Sequence, residues 1–357
     1  MQCAVLEYLC CPDTCMKNGC DQPVYKLGIL GASNIAVPAM LEPARVVEKV
    51  RITTIANRTL EKAAKMAEAY QIPYVAGSLE ELLELNDLDG VYIALSNELH
   101  TEWAVRALKA GKHVLVEKPM CLHPEEAERL RLVKEKSAAL KLAEGLMIAF
   151  HPWQQALKSI VDSGQFGPLY KISTRISVPA KDRHAGNYRS VKAKGGGAFA
   201  DLGCYWLQFL QTLAGLQPSE IRAQSAFDGP EGCDWTFQAA LQYKNGLEAE
   251  CLTSFELPFR ASHTLYFEHT VLTVPDFFRP VKGFYKIKIR HDLPDNRSTL
   301  CEFADELLCQ PVECFRRNDE RAKGRKAGSY MGTGTPAIPN HGRGAAALGS
   351  IYEATRP

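Results

Sequence analysis

The chain has 357 residues, of which 23% are charged and 46% are hydrophobic, proportions that are typical of a globular protein. Its formal net charge of +1 gives no support for a nucleic-acid-binding or membrane-binding protein, and no apolar stretch reaches transmembrane length. The first residues lack a basic segment, and Glu7 interrupts their apolar run, which argues against a signal peptide. We therefore expect a cytoplasmic enzyme built from two domains.

The twelve cysteines are many for such an enzyme, and five of them lie in the first twenty residues. Their spacing, which includes the adjacent pair Cys10 and Cys11, does not match a standard zinc pattern. We therefore predict inert, reduced thiols and no metal site, with a metal or redox role for this cluster as the less favoured alternative. Residues 1–22 are expected to form a disordered extension.

The first predicted strand, residues 24–30, runs into the sequence GASNIA and then into a helix. This is a relaxed dinucleotide-binding fingerprint, with Gly31 in the tight turn and with Ser33 and Ala36 where further glycines are usual. A pyrophosphate sits on the free N–H groups at the helix start, so the side chains there must be small. An ordinary strand–turn–helix is the alternative. The fingerprint predicts cofactor contacts from Gly31, Ser33, Asn34 and Ile35.

The second predicted strand, Val50–Ala56, ends at Asn57 and Arg58. In a dinucleotide-binding sheet the end of this strand meets the adenosine ribose. An acid there binds the 2′-hydroxyl of NAD, whereas an arginine accommodates the 2′-phosphate of NADP. Because no acid stands at the strand end, Asn57 and Arg58 predict NADP as the cofactor, with NAD as the alternative. A surface arginine near a helix start would give the same sequence.

The next two predicted strands, residues 91–95 and His113–Val116, also end in polar residues. Ser96 and Asn97 follow the first of them, and Glu117-Lys118-Pro119 follows the second. Ligands of parallel α/β sheets bind beyond the carboxyl ends of the strands, where a lysine in an apolar cleft can take part in proton transfer. A solvated lysine before a turn is the alternative. Alternating strands and helices predict a doubly wound parallel (Rossmann) sheet over residues 23–149.

Residues 96–120 strongly resemble the Gfo/Idh/MocA oxidoreductase family. The glycines at 195–197, followed by Asp201-x-Gly203-x-Tyr205, resemble the catalytic helix of the same family. The tyrosine is similar to that of the branch containing dihydrodiol dehydrogenases, NADP-dependent xylose dehydrogenases and glucose–fructose oxidoreductase. Ala149 departs from the family pattern, because many relatives carry an arginine there that could donate to cofactor or substrate.

The resemblance implies a role for each matching residue. Tyr205 would transfer the substrate hydroxyl proton, while Lys118 would lower the pKa of Tyr205 and hold the substrate oxygen. Asp201, four residues before Tyr205 on the same helix face, would orient substrate hydroxyls or the lysine. Cofactor contacts are implied for Ser96, Asn97, His100 and Glu117, and substrate contacts for Lys118, Asn187, Arg189, Asp201 and Tyr205.

Residues 150–315 are expected to form a substrate and dimerisation domain of the α+β class with an open, mostly antiparallel sheet. Its predicted elements are a helix over 151–163, a hairpin turn at 244–246, and strands over 169–178, 220–227, 235–243, 247–255 and 263–274. The Gly-rich and basic residues 316–344 predict a flexible segment, and residues 345–357 a terminal helix.

These inferences predict an NAD(P)-dependent oxidoreductase that acts on a sugar or cyclic polyol, with NADP as cofactor and aldose 1-dehydrogenase chemistry as the first expectation. The alternatives are a trans-dihydrodiol dehydrogenase and a non-catalytic NADP-binding regulatory protein. By resemblance the chain forms a homo-oligomer.

Overall fold

The computed structural model describes residues 24–47, 50–180, 187–277, 287–292 and 297–303. The predicted extension 1–22, the segment 316–344 and the terminal helix 345–357 lie outside the described residues. The described part forms two compact units. The first unit holds the described residues up to Met147 together with Ala193–Gly195, and the second holds Ile148–Lys192 and the described residues from Gly196 onward.

The first unit contains a six-stranded sheet in the order β3-β2-β1-β4-β5-β6, with every pair parallel. Its strands are β1 Tyr25–Leu30, β2 Val50–Ala56, β3 Tyr74–Val75, β4 Gly90–Ile93, β5 His113–Val116 and β6 Leu142–Glu144. The helices are Leu60–Tyr70, Leu79–Glu84, Asn97–Lys109 and Pro124–Lys136, and a π-helical turn Val37–Leu41 leads into the short helix Glu42–Ala44. This order is the doubly wound dinucleotide-binding topology, so the predicted fold class is confirmed.

Burial explains why these segments form strands and helices. All four residues of β4 are buried, as are the last three of β5, because helices cover both faces of a parallel sheet. The helix Asn97–Lys109 turns the buried face that contains Trp103, Ala104 and Leu108 toward the core of this unit. Polar residues follow these buried runs at the carboxyl edge of the sheet: Ser96 and Asn97 after β4, and Glu117 and Lys118 after β5.

The second unit contains an eight-stranded sheet in the order β14-β13-β12-β11-β7-β10-β9-β8. The neighbours are antiparallel except β7 and β10, which are parallel. Its strands are β7 Leu169–Ser177, β8 Glu220–Ser225, β9 Thr236–Gln242, β10 Glu248–Ser254, β11 Arg260–Phe267, β12 Val271–Val274, β13 Ile287–Asp292 and β14 Ser298–Phe303. Its α-helices are Pro152–Ser163 and Cys204–Leu213. The mostly antiparallel sheet predicted here is confirmed.

The predicted strand over 263–274 is wrong in one respect, because the chain turns within it. The structure has β11 and β12 as an antiparallel pair, separated at residues 268–270. The backbone N–H groups of Glu268 and His269 bond to the carbonyls of Pro168 and Phe166, respectively, which draws the chain out of the sheet. The predicted hairpin at 244–246 is present, with Gly246 at φ +86°.

The described residues include no helix that is both long and apolar enough to span a membrane. The five described cysteines, Cys121, Cys204, Cys233, Cys251 and Cys301, are buried, and none of them forms a disulfide with another described residue. Burial raises the pKa of Cys121 to about 12 and that of Cys233 to about 11, so both remain protonated at neutral pH. The cysteines of residues 1–22 lie outside the described part.

Candidate active site

The turn after β1 brings the backbone very close to the end of β4. Gly31 has φ +108°, and a Cβ at this position would lie 2.5 Å from the carbonyl oxygen of Ala94. The N–H of Gly31 also donates to the carbonyl of Ala56 at the end of β2 (2.8 Å). The turn therefore passes between the ends of β2 and β4, the two strands that flank β1, and only glycine satisfies both the dihedral angle and the close approach.

The residues after this turn have the properties that a dinucleotide phosphate requires. Ser33 Oγ is buried and makes no hydrogen bond with any described residue, so its hydroxyl is available to a ligand. Asn57 Oδ1 accepts from the N–H of Ala32 at 3.1 Å, and its Nδ2 donates to the carbonyl of Thr59. Ala36 is fully buried beneath the turn. The donor set, the small side chains and the orphaned hydroxyl fit a pyrophosphate.

The other residues predicted from the fingerprint lie on the surface of the same region. Asn34 and Ile35 are exposed in the turn, and Arg58 is exposed directly after β2. Arg58 stands at the strand end where a 2′-phosphate is read in this topology. Its contact with NADP stays a prediction.

The end of β4 contributes three predicted residues. Ser96 Oγ donates to Glu98 Oε1 at 2.8 Å, and Asn97 is buried with its Nδ2 donating to the carbonyl of Gly195 at 3.1 Å. His100 is 1% exposed, and both ring nitrogens face backbone carbonyls: Nδ1 that of Pro119 (2.8 Å) and Nε2 that of Leu95 (3.0 Å). Burial lowers the pKa of His100.

The end of β5 carries the predicted catalytic lysine. Lys118 is half-buried, and its peptide bond to Pro119 is cis. Glu117 accepts a hydrogen bond from the hydroxyl of Tyr92, with 2.6 Å between the oxygens. Burial raises the pKa of Tyr92 well above its usual value, and the Glu117 carboxylate reinforces this, so the phenol stays protonated as the donor.

Two buried side chains that the sequence reasoning did not identify bind the backbone just beyond Lys118. Thr101 Oγ1 donates to the carbonyl of Met120 (3.0 Å), and Glu144 Oε1 accepts from the N–H of Met120 (2.8 Å). Burial raises the pKa of Glu144 to about 7, against the opposing effects of that N–H and of the Lys118 ammonium. The detectable signal was an acid at the end of the apolar strand β6, where a charge is otherwise unfavourable.

The second unit holds the predicted residues Arg189, Asp201 and Tyr205. Arg189 Nε donates to Asp201 Oδ2 at 2.8 Å, and the Asp201 side chain is only 8% exposed. Tyr205 is 2% exposed, in the first turn of Cys204–Leu213. Asp201 lies in a preceding π-helical turn, Phe199–Gly203, so the α-helical spacing that predicted a shared face does not hold across this junction.

Asp234 fixes the start of that π-helical turn, and sequence reasoning did not identify it. Its Oδ2 accepts from the N–H of Phe199 (2.7 Å), and its carbonyl accepts from the N–H of Ala198 (2.9 Å). A Cβ on Gly197 would lie 2.0 Å from Asp234 Oδ1. Packing against this carboxylate therefore requires glycine at position 197. Asn187 is exposed, and its Oδ1 accepts from the N–H of Arg189 (3.1 Å).

The predicted site residues thus fall into two groups, one in each unit. In the first unit the fingerprint turn, Asn97 and Lys118 stand at the carboxyl ends of the adjacent strands β1, β4 and β5. The sheet order reverses direction between β1 and β4, which is where ligands of open α/β sheets bind.

Comparison with known proteins identifies the family. The model of an oxidoreductase family with an NAD-binding Rossmann fold matches residues 25–143, and that of the GFO/IDH/MocA C-terminal domain matches residues 154–272. The chain belongs to the GFO/IDH/MocA oxidoreductase family. It is therefore an NAD(P)-dependent oxidoreductase.

Members of this family with named activities are similar over most of the chain. A dTDP-3,4-didehydro-2,6-dideoxy-alpha-D-glucose 3-reductase of Streptomyces violaceoruber is 31% identical over 86% of this chain and 88% of its own length. D-xylose 1-dehydrogenase (NADP(+)) 2 of Haloferax volcanii is 31% identical over 65% of this chain and 70% of its own. The crystal structure of KijD10, a 3-ketoreductase from Actinomadura kijaniata in complex with NADP and TDP-benzene, superposes with a TM-score of 0.76. It covers 94% of this chain and 98% of its own at 23% identity, so it supports the fold alone.

Proposed function

We propose that this oxidoreductase uses NADP(H) and interconverts a carbinol and a carbonyl on a sugar or similar cyclic polyol. The observation that supports this most is the position of Lys118 at the end of β5, two strands from the fingerprint turn at the end of β1. The bound nicotinamide supplies or accepts the hydride. An ammonium at this edge of the sheet is suited to hold the substrate oxygen as its charge changes.

Residues of the chain bind the reacting oxygen of the substrate and transfer its proton. Lys118 holds the substrate oxygen, and Tyr205 donates a proton to it during reduction or removes one during oxidation. Asp201, which also accepts a hydrogen bond from Arg189, accepts hydrogen bonds from substrate hydroxyls. Gly31 and Ser33 receive the pyrophosphate, and Asn57 holds their turn through the N–H of Ala32.

Two substrate classes are candidates, and a different observation favours each. The tyrosine-bearing motif favours oxidation of an aldose at C1, and the relative from Haloferax volcanii is named for such an activity. Reduction of a ketone on a nucleotide-linked sugar is the second candidate, favoured by the longer match to the Streptomyces violaceoruber reductase. Both reactions require proton transfer to or from the oxygen of one carbon–oxygen bond, so the residue roles are the same for either substrate class.

The test is turnover by the purified full chain, followed through NADPH absorbance. Oxidation is assayed with aldoses, inositols and cyclic diols, and reduction with keto sugars, both free and dTDP-linked. Lys118→Met and Tyr205→Phe are assayed alongside. We expect Lys118→Met to lower kcat at least 1000-fold, because the positive charge at the oxygen is lost. Tyr205→Phe should lower it about 100-fold, the usual contribution of a general acid or base.

Lys109→Met is the matched control, since Lys109 is an exposed lysine at the end of the helix Asn97–Lys109. It should retain wild-type kcat. Turnover by Lys118→Met at the wild-type rate would refute the role of Lys118. NADPH binding without turnover of any substrate in the panel would refute the proposed substrate class and favour a regulatory protein.

A further inference from the structure

The backbone of residues 117–121, here called the lysine loop, makes hydrogen bonds with buried side chains of the helix Asn97–Lys109 and of β6. His100 contacts the carbonyl of Pro119, and Thr101 donates to the carbonyl of Met120. Glu144 accepts from the N–H of Met120. Three consecutive polar groups of the backbone directly after Lys118 are thus held by side chains rather than by a strand or helix.

The three clamping side chains are themselves held rigidly. They are between 1% and 5% exposed, and they come from the helix Asn97–Lys109 and from the end of β6. A buried side chain in a packed element has little rotational freedom, so the backbone that it binds is fixed too. Glu144 differs from the other two because it brings a charge into the core.

A carboxylate in such a position is costly unless something nearby compensates for it. The compensation comes from the N–H of Met120 and from the Lys118 ammonium, both of which favour the ionised form of Glu144, whereas Glu117 opposes it. His100 and Cys121 also feel charges of this cluster. The ionisable groups around the loop are Lys118, Glu117 and Cys121 on the loop, Tyr92 on β4, Glu98 and His100 on the helix Asn97–Lys109, Glu126 on the helix Pro124–Lys136, and Glu144 on β6.

We propose that Glu144 is the positioning residue for Lys118, since its buried carboxylate binds the N–H of Met120, two residues after the lysine, and brings a negative charge to the lysine loop. This inference rests on the proposed role of Lys118 in the reaction. Substitution by glutamine separates the two parts, because an amide oxygen still accepts from Met120 but carries no charge. Substitution by alanine removes both.

The charge is tested on the protein without cofactor by competitive acetylation with acetic anhydride, with Lys118 followed by mass spectrometry as a function of pH. Loss of a neighbouring anion favours the neutral amine, so in Glu144→Gln the labelling midpoint of Lys118 should fall by about 1 pH unit. Glu125→Gln is the matched control, an exposed carboxylate in the first turn of the next helix, and should leave the midpoint unchanged. Equal midpoints in wild type and Glu144→Gln would overturn the proposal.

The hydrogen bond from the Met120 N–H to Glu144, here called the clamp, is tested by hydrogen exchange of the Met120 amide at neutral pH. Exchange should be about 100-fold faster in Glu144→Ala and within a few-fold of wild type in Glu144→Gln. Equally slow exchange in Glu144→Ala would overturn the clamp. If the alanine variant does not fold, the acetylation midpoint of the glutamine variant still decides the charge.

Neither measurement requires turnover, so failure of the two proposals is distinguishable. Absence of activity in wild type together with a shifted midpoint would contradict the proposed function and leave the interaction between Glu144 and Lys118 standing. Activity that depends on Lys118 together with an unshifted midpoint would contradict only the role of Glu144. In an active enzyme, the alkaline limb of the pH profile of kcat/KM should shift with the labelling midpoint in Glu144→Gln.

Discussion

Arg189 Nε donates to Asp201 Oδ2 across 2.8 Å, and this charged hydrogen bond restricts the orientation of the buried Asp201 carboxylate. The guanidinium also lies over the ring of Tyr188, 4.5 Å from its centroid, which restricts it further. Burial lowers the pKa of Arg189, but Asp201 and the neighbouring tyrosines more than reverse this, and the net pKa is raised. The raised pKa keeps the Arg189 guanidinium charged beside Asp201.

Substitution of Arg189 should impair the reaction through Asp201. Arg189→Ala removes the donor, so we expect kcat to fall about tenfold and KM for a polyhydroxylated substrate to rise, with NADPH affinity unchanged. Arg189→Lys keeps the charge without the planar guanidinium geometry and should recover only part of the loss. Steady-state kinetics and NADPH titration by tryptophan fluorescence measure these effects. Wild-type kinetics in Arg189→Ala would contradict the orienting role.

Gly31→Ala should abolish cofactor binding and destabilise the first unit. The added Cβ would lie 2.5 Å from the carbonyl of Ala94 at φ +108°, so both strain and overlap act. Gly111→Ala is the matched control, because Gly111 has φ +78° but open space around its Cα. We expect a loss of about 1–2 kcal/mol in the control and more than about 3 kcal/mol in Gly31→Ala, measured by urea unfolding. Equal losses would show that overlap contributes nothing.

Arg58→Ala should change cofactor preference without changing catalysis. Loss of the guanidinium weakens binding of the 2′-phosphate by about 1.5–3 kcal/mol, a 10-fold to 100-fold rise in the Kd of NADPH, while the Kd of NADH stays the same. Calorimetric titration of both cofactors measures the ratio. Arg51→Ala, an exposed arginine near the other end of β2, serves as the control and should leave the ratio unaltered. An unchanged ratio in Arg58→Ala would refute the assignment.

Glu144 should make the protein less stable as the pH rises. Its pKa of about 7 in the folded chain lies above the ordinary value of 4.5, so the folded state holds the proton more tightly than the unfolded state. The stabilisation is complete below pH 4.5 and is lost as the pH rises through 7. Relative to wild type, Glu144→Gln should therefore gain about 2–3 kcal/mol in free energy of unfolding between pH 5 and 8. A pH-independent difference between the two proteins would contradict this.

His263, in the second unit, should make the protein less stable as the pH falls, the opposite of the effect of Glu144. Its ring is fully buried between Phe209 and Phe277, at centroid distances of 3.9 and 4.0 Å, and Nδ1 lies 2.9 Å from Thr174 Oγ1. Burial holds its pKa well below 6.5, so stability is present above pH 6.5 and is lost at lower pH, by up to about 1.4 kcal/mol per pH unit. The double variant His263→Phe, Thr174→Val should unfold with a shallower acid dependence. An unchanged slope below pH 6.5 would contradict this origin.

Four of the six strands of the first sheet could be predicted, because they are short apolar runs that end in polar residues, whereas the two- and three-residue edge strands β3 and β6 were not predicted. Val50–Ala56 and His113–Val116 were predicted with their observed bounds. A buried parallel strand carries this signal locally, since both of its faces are covered. The strands β11 and β12 were predicted as one, because the turn between them is set by contacts with residues 166–168, distant in sequence.

The hydrogen-bond partners of the supporting residues could not be predicted for the same reason. Glu144 and Asp234 accept hydrogen bonds from backbone N–H groups 24 and 35 residues away in sequence. No sequence pattern predicts hydrogen bonds between residues so far apart in the chain. The π-helical turn that contains Asp201 was not predicted either, since the N–H groups of Ala198 and Phe199 at its start donate to Asp234, which is distant in sequence. Motifs identified the residues proposed to meet the ligand, whereas the structure was needed to find those that hold them.

The parallel pairing of β7 with β10 has a consequence for how this protein folds. All other pairs of the second sheet are antiparallel, and β8–β9, β9–β10 and β11–β12 join strands that are close in sequence. Strands β7 and β10 are separated along the chain by residues 178–247, which include the helix Cys204–Leu213. Closing so long a loop is slow, so we expect the hairpins to form first and the β7–β10 pairing to be a late step. The helix Cys204–Leu213, which carries Tyr205, would then become ordered only when this sheet is completed.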